Sequence, residues 1–211
     1  MRPQDIRSIN MAESAEDVRK VREALIAREH NGIYPVYEAF YIHSIIYAAE
    51  RSETAFERFD EAVAADRPPE LIFATVQEAL THAGALSRFF WPMKNKKNEL
   101  AAARGNRLRD AFALDDTSAL KWRKLRNAFE HFDEDLDRFL LEDRAGCFFP
   151  SPLVDDQALA NESIGQIFKL VDPKHGICVL LGEKFEFRPV RSEVQRILSR
   201  AREMDEQGGR L

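Results

Sequence analysis

Along most of the chain the apolar residues return every three or four positions, the period of one face of an α-helix. From Glu13 to Glu29, Val18, Val21, Leu25 and Ile26 gather on one side and charges on the other, which predicts a first helix. Asn31-Gly32 is a stop signal, and Pro35 sits where a second helix can begin. That helix runs through Tyr37, Phe40, Tyr41, Ile45 and Tyr47 towards Ala64. Its first half is apolar nearly all round, which predicts a central place in the core. Arg67-Pro68-Pro69 breaks the pattern. Glu70 to Phe90 reads as a third helix, with Leu71, Ile72, Val76, Leu80 and Phe89 as core candidates and Pro92 as its stop. A basic loop, Lys94 to Asn98, leads to an Arg-rich fourth helix from Glu99 to Phe112.

Asp115-Asp116-Thr117-Ser118 has the composition of a helix start. The helix predicted after it reaches about Glu142. Its stripe of Trp122, Leu125, Phe129, Phe132, Leu136, Phe139 and Leu140 is the most regular helical pattern in the chain. Gly146 and Pro150 follow, and the texture then changes. Ser163 to Val171 and Ile177 to Leu181 are short apolar runs around Asp172-Pro173-Lys174-His175-Gly176, a β-hairpin pattern. Phe185-Glu186-Phe187 adds a third short strand, Ser192 to Met204 a final helix, and Asp205 to Leu211 a frayed tail. The expected fold is mainly α: an up-and-down helical bundle over residues 1–145. A small C-terminal β-hairpin and a final helix, residues 146–211, form an appendage packed on the same domain.

Composition adds limits. A chain of 211 residues fits one domain that needs no staples, and 15 Phe point to a thick core. Cys147 and Cys178 lie far apart and outside any metal-ligand spacing, so they read as two buried thiols in a reducing cytoplasm. The polar start Met1-Arg2-Pro3-Gln4-Asp5 has no apolar signal core, and no run approaches the ~20 apolar residues that span a bilayer. The expectation is a soluble, cytoplasmic protein. Net charge is -5 but uneven: Lys94 to Arg126 holds ten basic residues against four acids, and Glu130 to Asp143 seven acids against one Arg. Such local fields steer a polyanion more than totals do. The basic block reads equally as an RNA-facing surface or as solvated charge.

Several chemistries are excluded. The chain has no Gly-rich phosphate loop and no Gly-x-Ser-x-Gly elbow. Glu78 and His82 are four apart rather than three, and no second pair answers them, so neither a metal nor another cofactor is implied. Among the histidines, His43 lies beside Phe40 and Tyr47 and reads as a core residue; His30 and His175 fall in turns, and His82 fits either side. Tyr34, Tyr37 and Tyr41 stand at helical spacing and read as core or dimer packing before base stacking. His131 differs. With the Trp122–Leu140 stripe turned inward, it projects roughly 140° away, sharing the outward face with Lys124, Asn127, Glu134 and Arg138.

The segment Arg126-Asn127-Ala128-Phe129-Glu130-His131 resembles the signature of the HEPN superfamily: an Arg, a polar residue, then His after a short gap on a late helix. The resemblance covers about Glu13 to Glu142 and leaves the hairpin tail out. It implies an all-helical bundle that forms a homodimer, with Arg126 and His131 of both chains lining one cleft as catalytic residues. Many members are metal-independent endoribonucleases, toxins or defence effectors. Others have lost cleavage and serve as RNA-binding or protein-assembly modules. The expected partners are RNA, contacted also by Asn127, Lys124 and Arg123, and an antitoxin or regulatory protein. The chemistry is coherent: imidazole titrates near neutrality and moves protons, while a guanidinium fork matches phosphate oxygens. The plain alternative is a solvated helix face on which Arg126 pairs with Glu130 and His131 with Asp135.

Overall fold

The computed structural model describes residues 3–93, 99–121, 123–141, 147–161 and 165–211. The side chains of residues 3–14, Arg123, Leu125, Arg126, Glu130 and Asn161 are outside that description, as are the basic loop of residues 94–98, Trp122 and Gly146. The chain is mainly α-helical. Helix α1 is Pro3–Glu29, α2 Glu38–Ala64, α3 Pro69–Phe90 and α4 Glu99–Ala111.

Helices α2 and α3 form an antiparallel hairpin, and the reason lies in their facing residues. Ile42, Ile45, Ala49, Ala55, Phe56 and Phe59 on α2 meet Ile72, Val76, Ala79, Ala83, Leu86 and Phe90 on α3, all buried in one cluster. The small side chains Ala49, Ala55, Ala79 and Ala83 let the two backbones approach, and buried Ser52 Oγ donates to Ala79 O at 2.9 Å across them. The connection is Asp66 at φ 48°, with Arg67 N bonded back to Ala62 O at 3.0 Å, a left-handed helix stop ahead of the two prolines.

Asn31 (φ 50°) and Gly32 (φ 85°) end α1 as the pattern predicts. Gly32 does more than turn the chain. It lies against the backbone of α4, where a Cβ would stand 2.0 Å from Arg104 N. Gly32→Ala is expected to cost at least roughly 1–3 kcal/mol, because backbone must retreat from backbone. A urea midpoint equal to wild type would remove that account of the junction.

Past α4 the predicted long helix is not continuous. Asp115 Oδ1 accepts from Thr117 N at 2.7 Å and from its hydroxyl, closing a side-chain turn, and a short 3-10 turn covers Ala119–Lys121. Helix α5 (Arg123–Glu130) and helix α6 (Phe132–Leu141) then follow, divided at His131. Hydrogen bonds from His131 N to Asn127 O (2.8 Å) and from Asp135 N to His131 O (3.0 Å) cross the division. Phe129 and Phe132 pack on the main cluster and Phe139 is buried, while Leu140 is exposed.

The strands form two small sheets. In one, β1 (Cys147–Phe149) and β3 (Gly165–Ile167) pair in parallel. In the other the order is β2 (Leu153–Val154), β4 (Lys169–Asp172), β5 (Ile177–Leu180) and β6 (Glu183–Glu186), with β2 parallel to β4 and the rest antiparallel. The predicted hairpin is β4–β5. Leu181 (φ 48°) and Gly182 (φ 82°) make the two-residue β5–β6 turn that suits strand twist. Lys169 Nζ lies 4.6 Å from the Phe132 ring centre and 5.8 Å from that of Phe73, so the strand layer is clamped beneath α6 and α3.

The final helix, α7 (Arg188–Glu206), begins earlier than its pattern predicts. Its buried Val190, Val194, Ile197, Leu198, Ala201 and Met204 belong to the same apolar cluster as α2 and α3. Phe187, just ahead of it, meets Phe59 edge-on at 5.4 Å and stacks on Phe56 at 6.1 Å. Residues 188–206 therefore help to build the bundle core. The last residues are tethered rather than frayed: Leu211 N donates to Glu38 Oε2 at 3.2 Å and Arg210 to Pro35 O at 2.6 Å.

Several burial expectations fail, and Leu71 on α3, expected in the core, is exposed. The first half of α2 is not buried all round: Ile42, Ile45 and Ala49 are inside, but Phe40 and Tyr47 are exposed, Tyr41 is half-buried, and Tyr37, just ahead of the helix, is exposed. Val18, Val21 and Leu25 on α1 are exposed. Cys178 is buried and Cys147 exposed, both as free thiols. Among the described residues, no helix is long and apolar enough to cross a membrane.

Candidate functional site

The predicted site lies on the outer side of α5 and α6. While Phe129 and Phe132 turn towards the core, the side chains of Lys124, Asn127 and His131 are exposed along one polar ridge. The imidazole of His131 is 55% exposed and its Nδ1 is 3.8 Å from Glu134 Oε1. Asp135, the other acid within reach in the sequence, pairs with Arg138 at 2.9 Å. The guanidinium of Arg126, the side chain of Arg123 and the suspected pairing partner Glu130 lie outside the described side chains; Arg126 is placed by its backbone in α5, a little over one turn before His131.

The basic block resolves into two kinds of residue. On α4 the arginines serve the fold. Arg107 donates to His30 O (2.7 Å), Ile33 O (3.1 Å) and the carboxylate of Glu38, Arg109 to Phe90 O (2.5 Å), and Arg104 lies over the Tyr41 ring. Lys121 pairs with Asp116 at 2.8 Å. Lys124 is exposed beside Asn127 on the ridge. Sequence counting alone could not separate these roles, because the partners of the α4 arginines come from the loop after α1, from α2 and from α3.

His43 is corrected by the structure: its side chain is 65% exposed and its Nε2 lies 3.2 Å from Asp205 Oδ1. Its neighbours Phe40 and Tyr47 do not cover it because they are themselves on the open side of α2. His82 is half-buried, 3.7 Å from Glu78, whose carboxyl is held below the ordinary range chiefly by the hydrogen bond from Arg58.

Sequence reading missed one cluster. Asp156, Asp172 and His175 bring ligand-type atoms within 4.8 Å of one another. Their lone pairs are nevertheless engaged by the fold. Asp172 Oδ1 accepts from His175 N (2.9 Å), and Oδ2 from Gln157 N (3.0 Å) and faces His175 Nδ1 at 2.6 Å. Asp156 Oδ1 accepts from Ala158 N at 2.8 Å. These carboxylates close the turns around β4. Burial raises the Asp172 carboxyl, but the two backbone amides and the His175 ring outweigh it, so the net shift is below the ordinary value of 3.8. A carboxyl depressed on folding contributes stability above its unfolded value and loses it as pH falls. The gap in urea midpoint between wild type and Asp172→Asn is therefore expected to be widest above about pH 4 and to close in more acid solution. Parallel curves down to pH 2 would refute this role.

Compared with known proteins, the chain matches no protein-family model, no curated protein and no solved structure.

Proposed function

We propose that this chain is a HEPN-like, metal-independent endoribonuclease that acts as a homodimer, with His131 and Arg126 of each copy facing one RNA phosphate. The observation that carries the reading is the aim of His131. It leaves a helix whose phenylalanines face inward, and it stands on the same wet ridge as Lys124 and Asn127.

The chemistry needs no other group. A ribose 2′-hydroxyl attacks the adjacent phosphorus while one imidazole removes its proton. The P–O5′ bond breaks, and the protonated imidazole of the other copy supplies the proton that the 5′-oxygen takes. The products are a 2′,3′-cyclic phosphate and a 5′-hydroxyl. Arg126 offers its planar fork to the phosphate oxygens as charge builds there, and Asn127 and Lys124 hold the backbone on either side. The test is a synthetic single-stranded RNA incubated with the purified protein in excess chelator. Cyclic-phosphate ends in chelator support the reading; intact RNA, or cleavage that chelation abolishes, overturns it.

A second reading is favoured by the acids that follow His131. Asp133 and Glu134 are exposed, and Glu134 stands beside the imidazole. Such a face suits a basic protein segment, which describes either a non-catalytic assembly module or the docking of a neutralising antitoxin on the ribonuclease.

A further inference from the structure

One side of the α2–α3 hairpin is open, and aromatic rings run along it. His30 meets Tyr34 at 4.8 Å between ring centres, Tyr34 meets Tyr37 at 5.7 Å, and Tyr37 meets Phe40 at 6.2 Å. The track continues into a groove between the two helices, where Phe40, Tyr47 and Phe89 are joined by His43, His82 and Arg51. Phe40 is 69% exposed and Tyr47 63%. Among the described residues nothing covers them, so the face costs solubility without contributing to the core.

Charge indicates what the face receives. Arg51 is exposed, with its guanidinium 5.7 Å from the centre of the Tyr47 ring, whereas Arg210 at the opposite end is taken up by Pro35 O and Glu38. The residues that line the groove include no acid. The acids nearby are already engaged: Glu78 by Arg58 and His82, Asp205 by His43, and Glu38 by Arg107 and Arg210. Pairing the groove with its own copy would set the two Arg51 guanidinium groups on a surface with no lining acid to answer them. A ligand with flat unsaturated rings and a chain of negative charge satisfies both halves of the surface, since rings stack on rings and phosphates meet guanidinium groups.

We infer that the aromatic track from Tyr34 to Tyr47 binds an unpaired stretch of RNA, its bases stacking on Tyr37, Phe40 and Tyr47 and a phosphate held by Arg51. The inference rests on the RNA reading given above and places the strand's second anchor on a different surface from His131. It makes single-stranded RNA the substrate class, because paired bases offer no open faces to these rings.

The test uses the full chain and a fluorescein-labelled 12-mer of 2′-O-methyl uridine, which has no nucleophilic hydroxyl and so is bound without being cut. Phe40→Ala and Tyr47→Ala should each weaken binding by about tenfold or more, as loss of a stacked base does. Arg51→Ala should weaken it and lower the slope of log affinity against log salt by about one. All three side chains are exposed, so the variants should keep wild-type circular dichroism and melting midpoint; a variant that does not is replaced by the milder Phe40→Leu or Tyr47→Leu, which keeps bulk and removes the ring. Wild-type affinity in these variants, or no binding by the wild type, overturns the inference. So does a wild-type dimer that Tyr47→Ala splits into monomers without changing the affinity, since that makes the groove an interface between copies. Binding lost in His131→Ala but kept in Phe40→Ala assigns the strand to the α5–α6 face alone. Failure of chelator-resistant cleavage, by contrast, removes the ribonuclease reading and leaves this binding measurement intact.

Discussion

His131→Ala is expected to lower the rate of RNA cleavage by ~10²–10⁴, the usual worth of a positioned proton-transfer group. The fold should be unaffected, because the imidazole is solvent-facing and Glu134 beside it is more exposed still. The two effects separate a catalytic role from a structural one. A variant with wild-type urea midpoint and strongly reduced turnover supports proton transfer at this ring. Unchanged turnover would leave His131 as a surface residue and remove the proposed mechanism. Mixed dimers add a sharper check. If base and acid come from different copies, a heterodimer of wild type and His131→Ala should lack one partner of the pair, so its activity should fall well below half that of the wild-type dimer.

The second large effect is structural. Glu38→Ala is expected to destabilise the fold by roughly 3–5 kcal/mol, the cost of stripping one partner from a buried ion pair. The Glu38 side chain is 5% exposed and receives Arg107, which also donates to the carbonyls of His30 and Ile33. Its other oxygen accepts from Leu211 N, with Arg210 at 3.8 Å. One carboxylate thus ties the end of α1, the start of α2, helix α4 and the last residues together. Its place in the first turn of α2 adds a favourable interaction with the positive end of that helix. For a chain of this size the loss corresponds to a fall in Tm of about 10 °C. Glu38→Gln keeps an acceptor and should cost less. A change below about 1 kcal/mol for Glu38→Ala would show that the three junctions hold without it.

Local order explains what could be read directly. The stop at Asn31-Gly32, the break at Pro68-Pro69 and the β4–β5 hairpin each depend on residues adjacent in the chain, whose backbone preferences act before any packing. The helical period likewise identified every major helix, and the inward turn of Phe129 and Phe132 with the outward turn of His131 follows from that period alone. The helix expected to follow Asp115–Ser118 starts only at Arg123, because Asp115 and Thr117 close a local side-chain turn that competes with it.

Tertiary contacts decided the rest. An amphipathic stripe tells which side of a helix is apolar, but not whether another element arrives to cover it. On α2 two apolar sides exist: α3 and α7 cover one, and the other, with Phe40 and Tyr47, stays open. That choice exposes His43, where its neighbours in sequence suggested burial. The parallel pairs β1–β3 and β2–β4 and the burial of Glu38 join residues far apart in the chain, so no local pattern announces them. The sequence by itself determined where the helices and turns lie and which way His131 points. Only the tertiary structure determined which apolar faces are core, because burial belongs to a pair of surfaces and each stripe describes one.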